Sequence, residues 1–319
     1  MEKGPAPTPQ IIAVVGATGF VGRATTDRLI ERGVSVRRVT APRLRRSPGM
    51  TASGTEDRTT IDFLYDSFVG CFAVVNAAGV PDSSAVNPDT VWGANSILPN
   101  LIASAARSAG ARTIHVSSAA VQGRKETLDS SDQVDGFSLY SRSKIAGEEA
   151  ARNGDPDVVV YRPPGVHGPG RPVTRALRRL AQSPLSCVAS PGTDNAPQAQ
   201  IANVADAIAF LATTPSLPAR VVTHPSEGIT TSELLHMLGG RRPTLLPRRL
   251  ARTVLSSAFV VARLAPSLMA NARRLEVLWF GQKQAPSWLT EAGWSPIQGR
   301  SGWSLIGTTS AAVNEGDST

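Results

Sequence analysis

The stretch Ile11-Ile-Ala-Val-Val-Gly16-Ala-Thr-Gly19-Phe-Val-Gly22 decides the fold of this chain. Its five leading apolar residues are typical of a short strand that is buried on both faces. The segment after the glycines, Ala24 to Arg32, has helical periodicity, and Gly33 ends it. A strand, a glycine turn and a helix in this order predict a dinucleotide site, where backbone N–H groups bind a pyrophosphate at the helix N-terminus. A purely structural turn is the alternative.

Length and composition are those of a globular protein with a large core. The chain has 319 residues, of which 41% are hydrophobic and 18% charged. Its net charge of +8 favours anionic partners, such as phosphorylated cofactors, nucleotide-linked substrates or acidic membrane surfaces. Nucleic acid is not predicted, because no basic stripe carries interleaved aromatic residues. Cys71 and Cys187 lack metal-ligand spacing, so we expect reduced core thiols in a cytoplasmic protein and no metal site.

The segment Tyr140-Ser-Arg-Ser-Lys144 places a phenol and an ammonium group four residues apart. In a helix this spacing brings both side chains to one face, about one turn apart. A phenol has a pKa near ~10, and a fixed cation beside it stabilises the phenolate and lowers that pKa. The pair therefore predicts proton transfer, with a plain surface pair as the alternative.

These motifs together resemble the extended, epimerase/dehydratase-like branch of the short-chain dehydrogenase/reductase superfamily. The glycine spacing is one residue wider than the usual dinucleotide fingerprint. Asp57 lies nineteen residues before Asn76, as the adenine-contacting Asp of this branch lies before its fourth strand. The other matching segments are Ala73-Val-Val-Asn-Ala-Ala-Gly79, the helix that Asn95 opens, Ile114-His-Val-Ser-Ser118-Ala-Ala-Val-Gln-Gly123 and Tyr161-Arg-Pro-Pro-Gly-Val-His-Gly-Pro-Gly170. They cover the chain from Ile11 to about Gly170.

The resemblance implies an α/β fold: a Rossmann-type, doubly wound parallel sheet with a small C-terminal substrate-binding lobe. Alternating strands and helices with short crossovers favour the same sheet. Residues 1–10 are expected to be a disordered lead-in rather than a signal peptide, and residues 308–319 a flexible tail. Residues 11–170 would form the dinucleotide-binding core, with further elements from about 201–225, and residues 171–307 mainly the substrate-binding lobe.

Four catalytic residues are implied by the resemblance. Ser118 would hydrogen-bond the substrate oxygen, and Ser117 is the alternative for that role. Tyr140 would pass a proton to or from the same oxygen, while Lys144 binds the nicotinamide ribose and lowers the tyrosine pKa. Asn95 would support the lysine through a water molecule.

The second expected strand is Val34 to Val39, and the loop after it indicates which cofactor is bound. Its sequence, Thr40-Ala-Pro-Arg43-Leu-Arg45-Arg46, has three arginines and no acid to hold a ribose 2′-hydroxyl. Arginine binds phosphate through charge-assisted bonds, so NADP(H) is favoured and NAD(H) is the alternative. The resemblance implies these cofactor contacts: Gly16, Thr18, Gly19, Phe20, Val21, Gly22, Arg43, Asp57, Arg58, Ala77, Ala78, Gly79, Tyr140, Lys144, Pro163, Pro164 and Val166.

The substrate implied by the resemblance is a sugar linked to a nucleotide or a lipid, and the expected contacts are Ser118, Gly165, His167 and Arg171. Two departures weaken this inference. The stretch Asp194 to Gln200 lacks the arginine that often clamps a diphosphate, and Gly165 stands where asparagine is frequent. We favour an NADPH-dependent keto-sugar reductase. The alternatives are a 4-epimerase with retained NAD, an enzyme for another small carbonyl or alcohol, and a non-catalytic NADP-sensing protein.

The region from Arg241 to Arg274 combines eight arginines with an apolar segment, Val254 to Leu264. One interpretation is a helix of the small lobe with a solvated basic face. The other is a weak contact with an anionic membrane surface, where a lipid-linked sugar would be met. Homodimers are common in the family that the chain resembles, and a homodimer is an expectation on that ground alone.

Overall fold

The structure is a computed structural model that describes residues 10–52, 55–81, 87–265 and 268–312. Its strands are β1 (Ile11–Val15), β2 (Ser35–Val39), β3 (Ala73–Asn76), β4 (Arg112–Val116), β5 (Thr127–Leu128), β6 (Val159–Arg162), β7 (Gly165–His167), β8 (Cys187–Ala189), β9 (Gln198–Gln200), β10 (Val221–Thr223), β11 (Thr244–Leu246) and β12 (Lys283–Gln284). Its α-helices are α1 (Phe20–Glu31), α2 (Thr55–Phe68), α3 (Pro88–Trp92), α4 (Leu98–Ser108), α5 (Leu139–Gly154), α6 (Pro172–Gln182), α7 (Ile201–Thr213), α8 (Thr231–Gly239), α9 (Arg248–Leu264), α10 (Met269–Phe280), α11 (Trp288–Glu291) and α12 (Ser301–Ala312). A π-helical segment, Gly93–Ile97, precedes α4, and a 3-10 turn, Ala119–Gln122, follows β4.

The largest sheet has the strand order β2-β1-β3-β4-β6-β10. The pairs β1–β2, β1–β3, β3–β4 and β4–β6 are parallel, which confirms the expected parallel, doubly wound fold. The chain places β2 on one side of β1 and β3 on the other, so the strand order reverses at β1. In sheets of this kind, ligands bind at the carboxyl ends of the strands beside such a reversal.

The chain divides into two compact units, and the first comprises the described parts of residues 1–117, 143–161 and 205–221. Its core lies where α2 and α4 pack together, around the buried side chains of Leu64, Phe68 and Leu101. An ion pair connects α1 with α7: the buried Asp206 carboxylate accepts hydrogen bonds from Arg28 and Arg32, each at 2.6 Å.

The second unit comprises the described parts of residues 118–142, 162–204 and 222–319. It contains three two-stranded pairs: β5 with β12, β7 with β9, and β8 with β11. Helices α6, α8 and α12 pack around Trp303, which is fully buried. A capping box begins α8: the Thr230 hydroxyl accepts from the Glu233 N–H, and the Glu233 carboxylate accepts from the Thr230 N–H.

Two boundaries differ from those expected from sequence. Residues 118–142 and 162–170, expected in the dinucleotide-binding core, belong to the second unit, because β5 pairs with β12 and β7 pairs with β9. The expected tail begins later than residue 308, because α12 continues to Ala312. Residues 1–9 of the expected lead-in and residues 313–319 of the tail lie outside the described residues. None of the helices described combines the length and the apolar character that crossing a bilayer requires.

Candidate active site

The glycine turn between β1 and α1 is too crowded for side chains. Gly16 has φ +80°, and a Cβ there would lie 2.8 Å from the backbone of Ala78. A Cβ on Gly22 would lie 2.1 Å from the Gly16 carbonyl oxygen. Gly19 is the N-cap of α1, and among the described residues no side chain caps that helix end. The N-terminus of α1 therefore suits a bound pyrophosphate.

The turn after β3 is held by two buried asparagines. The Asn76 carboxamide oxygen accepts from the Ala78 N–H at 3.2 Å, and the Asn95 carboxamide oxygen accepts from the Val80 N–H at 2.8 Å. Asn76 also bonds the His115 ring at 3.1 Å. Burial, with Lys144 and Arg152 nearby, lowers the His115 pKa well below its ordinary value. His115 is thus a neutral structural residue.

Asn95 lies in the π-helical segment and connects it to α5. Its amide group donates to the Ser143 hydroxyl at 3.1 Å and to the Val80 carbonyl at 3.0 Å. Its direct contact is therefore with the residue before Lys144, and the expected water-mediated support of the lysine stays a prediction. The packing here is close, since a Cβ on Gly147 would lie 2.0 Å from the Asn95 carbonyl oxygen. Asn95 thus helps to set the position of α5.

Lys144 is a buried cation on α5. Its side chain is 4% exposed, and its ammonium group donates to the Val116 carbonyl at 2.7 Å. Burial lowers the pKa of Lys144 to about 8, while the Glu148 carboxylate acts in the opposite direction. The lysine therefore remains mainly charged at neutral pH. Tyr140 is half-buried one helical turn earlier, as the sequence spacing predicts.

The two serines after β4 have different surroundings. Ser117 is buried, and its hydroxyl donates to the Glu148 carboxylate at 2.5 Å. Ser118 is half-buried, and its hydroxyl oxygen accepts from the Ala120 N–H at 3.2 Å. That bond uses the oxygen of Ser118 and leaves its proton to be donated. The contrast favours Ser118 over Ser117 for contact with a substrate.

Gly165 and His167 meet at the side chain of Gln198. A Cβ on Gly165 would lie 2.0 Å from the Gln198 carboxamide oxygen, so this carboxamide takes the space of a side chain at position 165. The same oxygen bonds the His167 ring at 2.9 Å, and the other ring nitrogen bonds Thr174 at 3.1 Å. Burial lowers the His167 pKa to about 4. His167 is therefore neutral with both nitrogens partnered, so its expected substrate contact would require one of these bonds to break.

Arg171 lies near Tyr140 within the second unit. Its guanidinium group donates to the Val166 carbonyl. Burial lowers the Arg171 pKa, and the negative charge of a Tyr140 phenolate raises it. This interaction places a second cation within electrostatic reach of the tyrosine, at a residue expected from sequence to bind substrate.

An open cleft of about 500 Å³ lies beyond the carboxyl end of β2. It is lined by Thr40, Ala41, Pro42, Thr59, Thr60 and Phe63. Arg43 and Arg58 are the chain neighbours of this lining, and both are exposed. Asp57 lies on α2, and its carboxylate accepts a hydrogen bond from Arg46 at 3.1 Å. The strand that follows it is β3, the third of the strands described. The adenine contact of Asp57 stays a prediction.

The other expected cofactor residues lie in two places. Thr18 is exposed on the glycine turn, and Phe20 and Val21 are half-buried at the start of α1. Pro163 and Pro164 are buried between β6 and β7, where Val166 is 6% exposed. Their contacts with a cofactor stay predictions.

Residues 12–220 match the NAD dependent epimerase/dehydratase family. The chain belongs to this family. The expected resemblance to the extended short-chain dehydrogenase/reductases is thereby confirmed.

The proteins that the chain resembles carry the names of different enzymes. The chain is 35% identical over 188 residues to a ceramide reductase from Caulobacter vibrioides, covering 56% of this chain and 54% of that protein. The chain spans about half the length of the curated relatives it matches. Among solved structures, UDP-glucuronic acid 4-epimerase from Bacillus cereus in complex with NAD has a TM-score of 0.66 at 16% identity, covering 97% of this chain and 99% of that one. The dTDP-4-dehydrorhamnose reductase from Bacillus anthracis in complex with NADP has a TM-score of 0.63 at 14% identity, covering 93% and 98%.

Three residues of this family member were not found from its sequence. Glu148 bonds Ser117 and lies four residues after Lys144, so continuing the Tyr140–Lys144 spacing by one turn would have indicated it. Asn76 ends β3 and shapes the turn after it. Gln198 carries no sequence signal, because its role depends on β9 pairing with β7.

Proposed function

We propose that this chain is an NADP(H)-dependent reductase that converts a ketone to an alcohol. The observation that carries the proposal is the buried Lys144 ammonium group on α5, one helical turn after Tyr140. Asn95 holds this helix through its hydrogen bond to the Ser143 hydroxyl. Burying a lysine is unfavourable, and such perturbed groups concentrate at functional sites. Membership in the NAD dependent epimerase/dehydratase family supports the same chemistry.

The residues at the glycine turn fit a dinucleotide. A Cβ on Gly16 or Gly22 would collide with backbone, and the α1 N-terminus has no side-chain cap. Gly16, Gly19 and Gly22 would therefore hold the pyrophosphate against α1. Arg43, exposed beside the cleft after β2, would bind the 2′-phosphate of NADP(H). The relative bound to NADP supports this preference, and the relative bound to NAD keeps NAD(H) as the alternative.

Proton transfer is assigned to side chains of this chain. When bound, NADPH supplies the hydride to the carbonyl carbon. Tyr140 gives its phenolic proton to the carbonyl oxygen, and the Ser118 hydroxyl donates a hydrogen bond to the same oxygen. The Lys144 cation stabilises the phenolate that Tyr140 becomes. An ammonium group has three N–H donors, and within the described part of the chain Val116 accepts from one of them, so two can serve the ribose and the tyrosine.

A keto-sugar on a nucleotide carrier is the substrate that we favour. The cations Arg171 and Arg175 at the start of α6 would balance a diphosphate. The relative named dTDP-4-dehydrorhamnose reductase supports this class. A 4-epimerase is the alternative within sugars, and it would retain its dinucleotide through each turnover.

A long-chain lipid ketone is the second candidate substrate. The specific observation in its favour is the 35% identity to a protein named ceramide reductase. Gly165 also stands where enzymes of the family that act on nucleotide sugars often have an asparagine. The Gln198 carboxamide fills the space that a side chain at position 165 would occupy.

The test is NADPH oxidation by purified protein with a dTDP-4-keto-sugar or with a long-chain ketone in detergent micelles. Tyr140→Phe should lower kcat by about 10²-fold or more, with NADPH affinity retained. Tyr65→Phe is the matched control, because Tyr65 is a 40% exposed tyrosine on α2. Unchanged turnover in Tyr140→Phe would refute the proton-transfer role. Turnover without added cofactor, with NAD retained through purification, would favour the epimerase.

A further inference from the structure

Helix α9 exposes apolar side chains to an unusual extent. Five large apolar residues of this helix are more than 40% exposed: Leu250 (51%), Val254 (42%), Val260 (56%), Val261 (52%) and Leu264 (85%). Leu250, Val254, Val261 and Leu264 follow spacings of four, seven and three residues, which keep them on one side of a helix. Together these five residues form what we call the α9 face.

The α9 face is separate from the side of the helix that holds it in the fold. Ala251, Leu255 and Ala262 are the buried residues of α9. Phe259 packs beneath the guanidinium group of Arg124, 4.6 Å from the ring centroid. The exposed valines and leucines therefore lie outside the buried side of the helix, and an apolar surface of this kind commonly marks a binding site.

Arginines lie beyond one edge of the α9 face, the edge that Val260 forms. Helical periodicity places Arg249 and Arg263 nearest to that edge and Arg252 further round the helix. Arg249, Arg252 and Arg263 are exposed, and among the described residues their guanidinium groups have no ion-pair partner. The helix sequence from Arg248 to Leu264 contains no acidic residue. An apolar groove of about 390 Å³ between α9 and α10 continues the surface, lined in part by Ala258, Leu268 and Leu275.

We propose that the α9 face docks this protein on the surface of an anionic lipid bilayer. A helix lying in the interface inserts its apolar side between lipid headgroups, while arginines at its border reach anionic phosphates. The positive charge of α9 favours an anionic bilayer over a second copy of the chain as the partner of this face. A symmetric dimer through α9 would bring two arginine rows together, with no acid on the helix to offset them. The inference goes beyond the proposed function, because it holds for either substrate class.

Vesicle sedimentation with the full chain tests the proposal. Vesicles of phosphatidylcholine with about one third phosphatidylglycerol should bind the protein at low salt, and binding should weaken near ~0.5 M NaCl, where charges are screened. Pure phosphatidylcholine vesicles should bind it much less. Equal binding to both vesicle types, or none to the anionic ones, would overturn the proposal.

Paired variants assign the binding to α9. Changing Arg249→Gln and Arg263→Gln together should weaken the partition coefficient by about 25-fold, at about fivefold for each basic residue near an anionic surface. The matched control removes the same charge from Arg107 and Arg179, which are exposed on other helices, and should have little effect. An equal loss in both double variants would show that only net charge matters and would contradict docking through α9.

A second variant tests the apolar contribution without altering charge. Val260→Ser with Leu264→Ser should also reduce vesicle binding, and circular dichroism should remain that of the parent protein because both residues are exposed. If light scattering instead shows a dimer that these changes dissociate, and vesicles do not bind, the α9 face is a subunit interface and the proposal fails.

Discussion

Replacing Lys144 by methionine should make the protein more stable at neutral pH. Burial lowers the pKa of Lys144 from 10.5 to about 8, so at about 1.4 kcal/mol per pH unit the charged form costs the folded state about 3 kcal/mol. Methionine removes this cost but leaves the buried Val116 carbonyl without its bond, a loss of about 1 kcal/mol. We therefore expect Lys144→Met to raise the free energy of unfolding by about 2 kcal/mol at pH 7.

The pH dependence of this difference identifies its origin. Between about pH 8 and pH 10.5 the unfolded protein binds more protons at Lys144 than the folded protein, so parent stability gains from this group as pH rises. Above that window the lysine is neutral in both states and the cost disappears. The advantage of Lys144→Met should thus shrink above pH 8 and reverse to a deficit that approaches about 1 kcal/mol above pH 10.5.

Urea unfolding of the cofactor-free proteins at pH 7 and at about pH 11, followed by tryptophan fluorescence, measures both quantities. Lys283→Met is the matched control, because the Lys283 side chain is 71% exposed and should show no reversal of sign with pH. A variant that is less stable than the parent at pH 7, or a difference that does not change with pH, would refute the argument. NADPH turnover should be lost in Lys144→Met whatever its stability.

Two further predictions concern the serines after β4 and a glycine of α5. Ser118→Ala should lower kcat by about 10²-fold and cost about 1 kcal/mol of unfolding free energy, because its hydroxyl caps the 3-10 turn at the Ala120 N–H. Ser117→Ala should keep most of its activity and cost about 1–3 kcal/mol, because it leaves the buried Glu148 carboxylate without its bond. Turnover and urea unfolding measure both, and a loss of activity in Ser117→Ala but not in Ser118→Ala would exchange the roles of the two serines. Gly147→Ala should destabilise the protein by about 1–3 kcal/mol, because its Cβ would lie 2.0 Å from the Asn95 carbonyl oxygen, and a thermal unfolding temperature equal to that of the parent would contradict this packing.

The fold could be predicted from sequence because its signals are local. The run Ile11 to Val15, the three glycines after it and the Thr230–Glu233 cap each act within a few residues, where spacing alone determines strand, turn or helix. The Tyr140–Lys144 spacing on α5 is local in the same sense. The division into two units differs from the expected boundary at residue 170, because the pairs β5–β12 and β7–β9 join segments that are distant in the chain.

The sequence by itself determined which residues could do chemistry: the tyrosine, the lysine, the serines and the glycine turn. Only the tertiary structure decided that Lys144 is buried, that Ser117 is bound to Glu148 while Ser118 is not, and that one side of α9 stays uncovered. The physical reason is that burial, pKa and hydrogen-bond partners depend on which distant segments cover a side chain. Spacing along the chain shows which face of a helix a residue lies on, and it does not show what packs against that face.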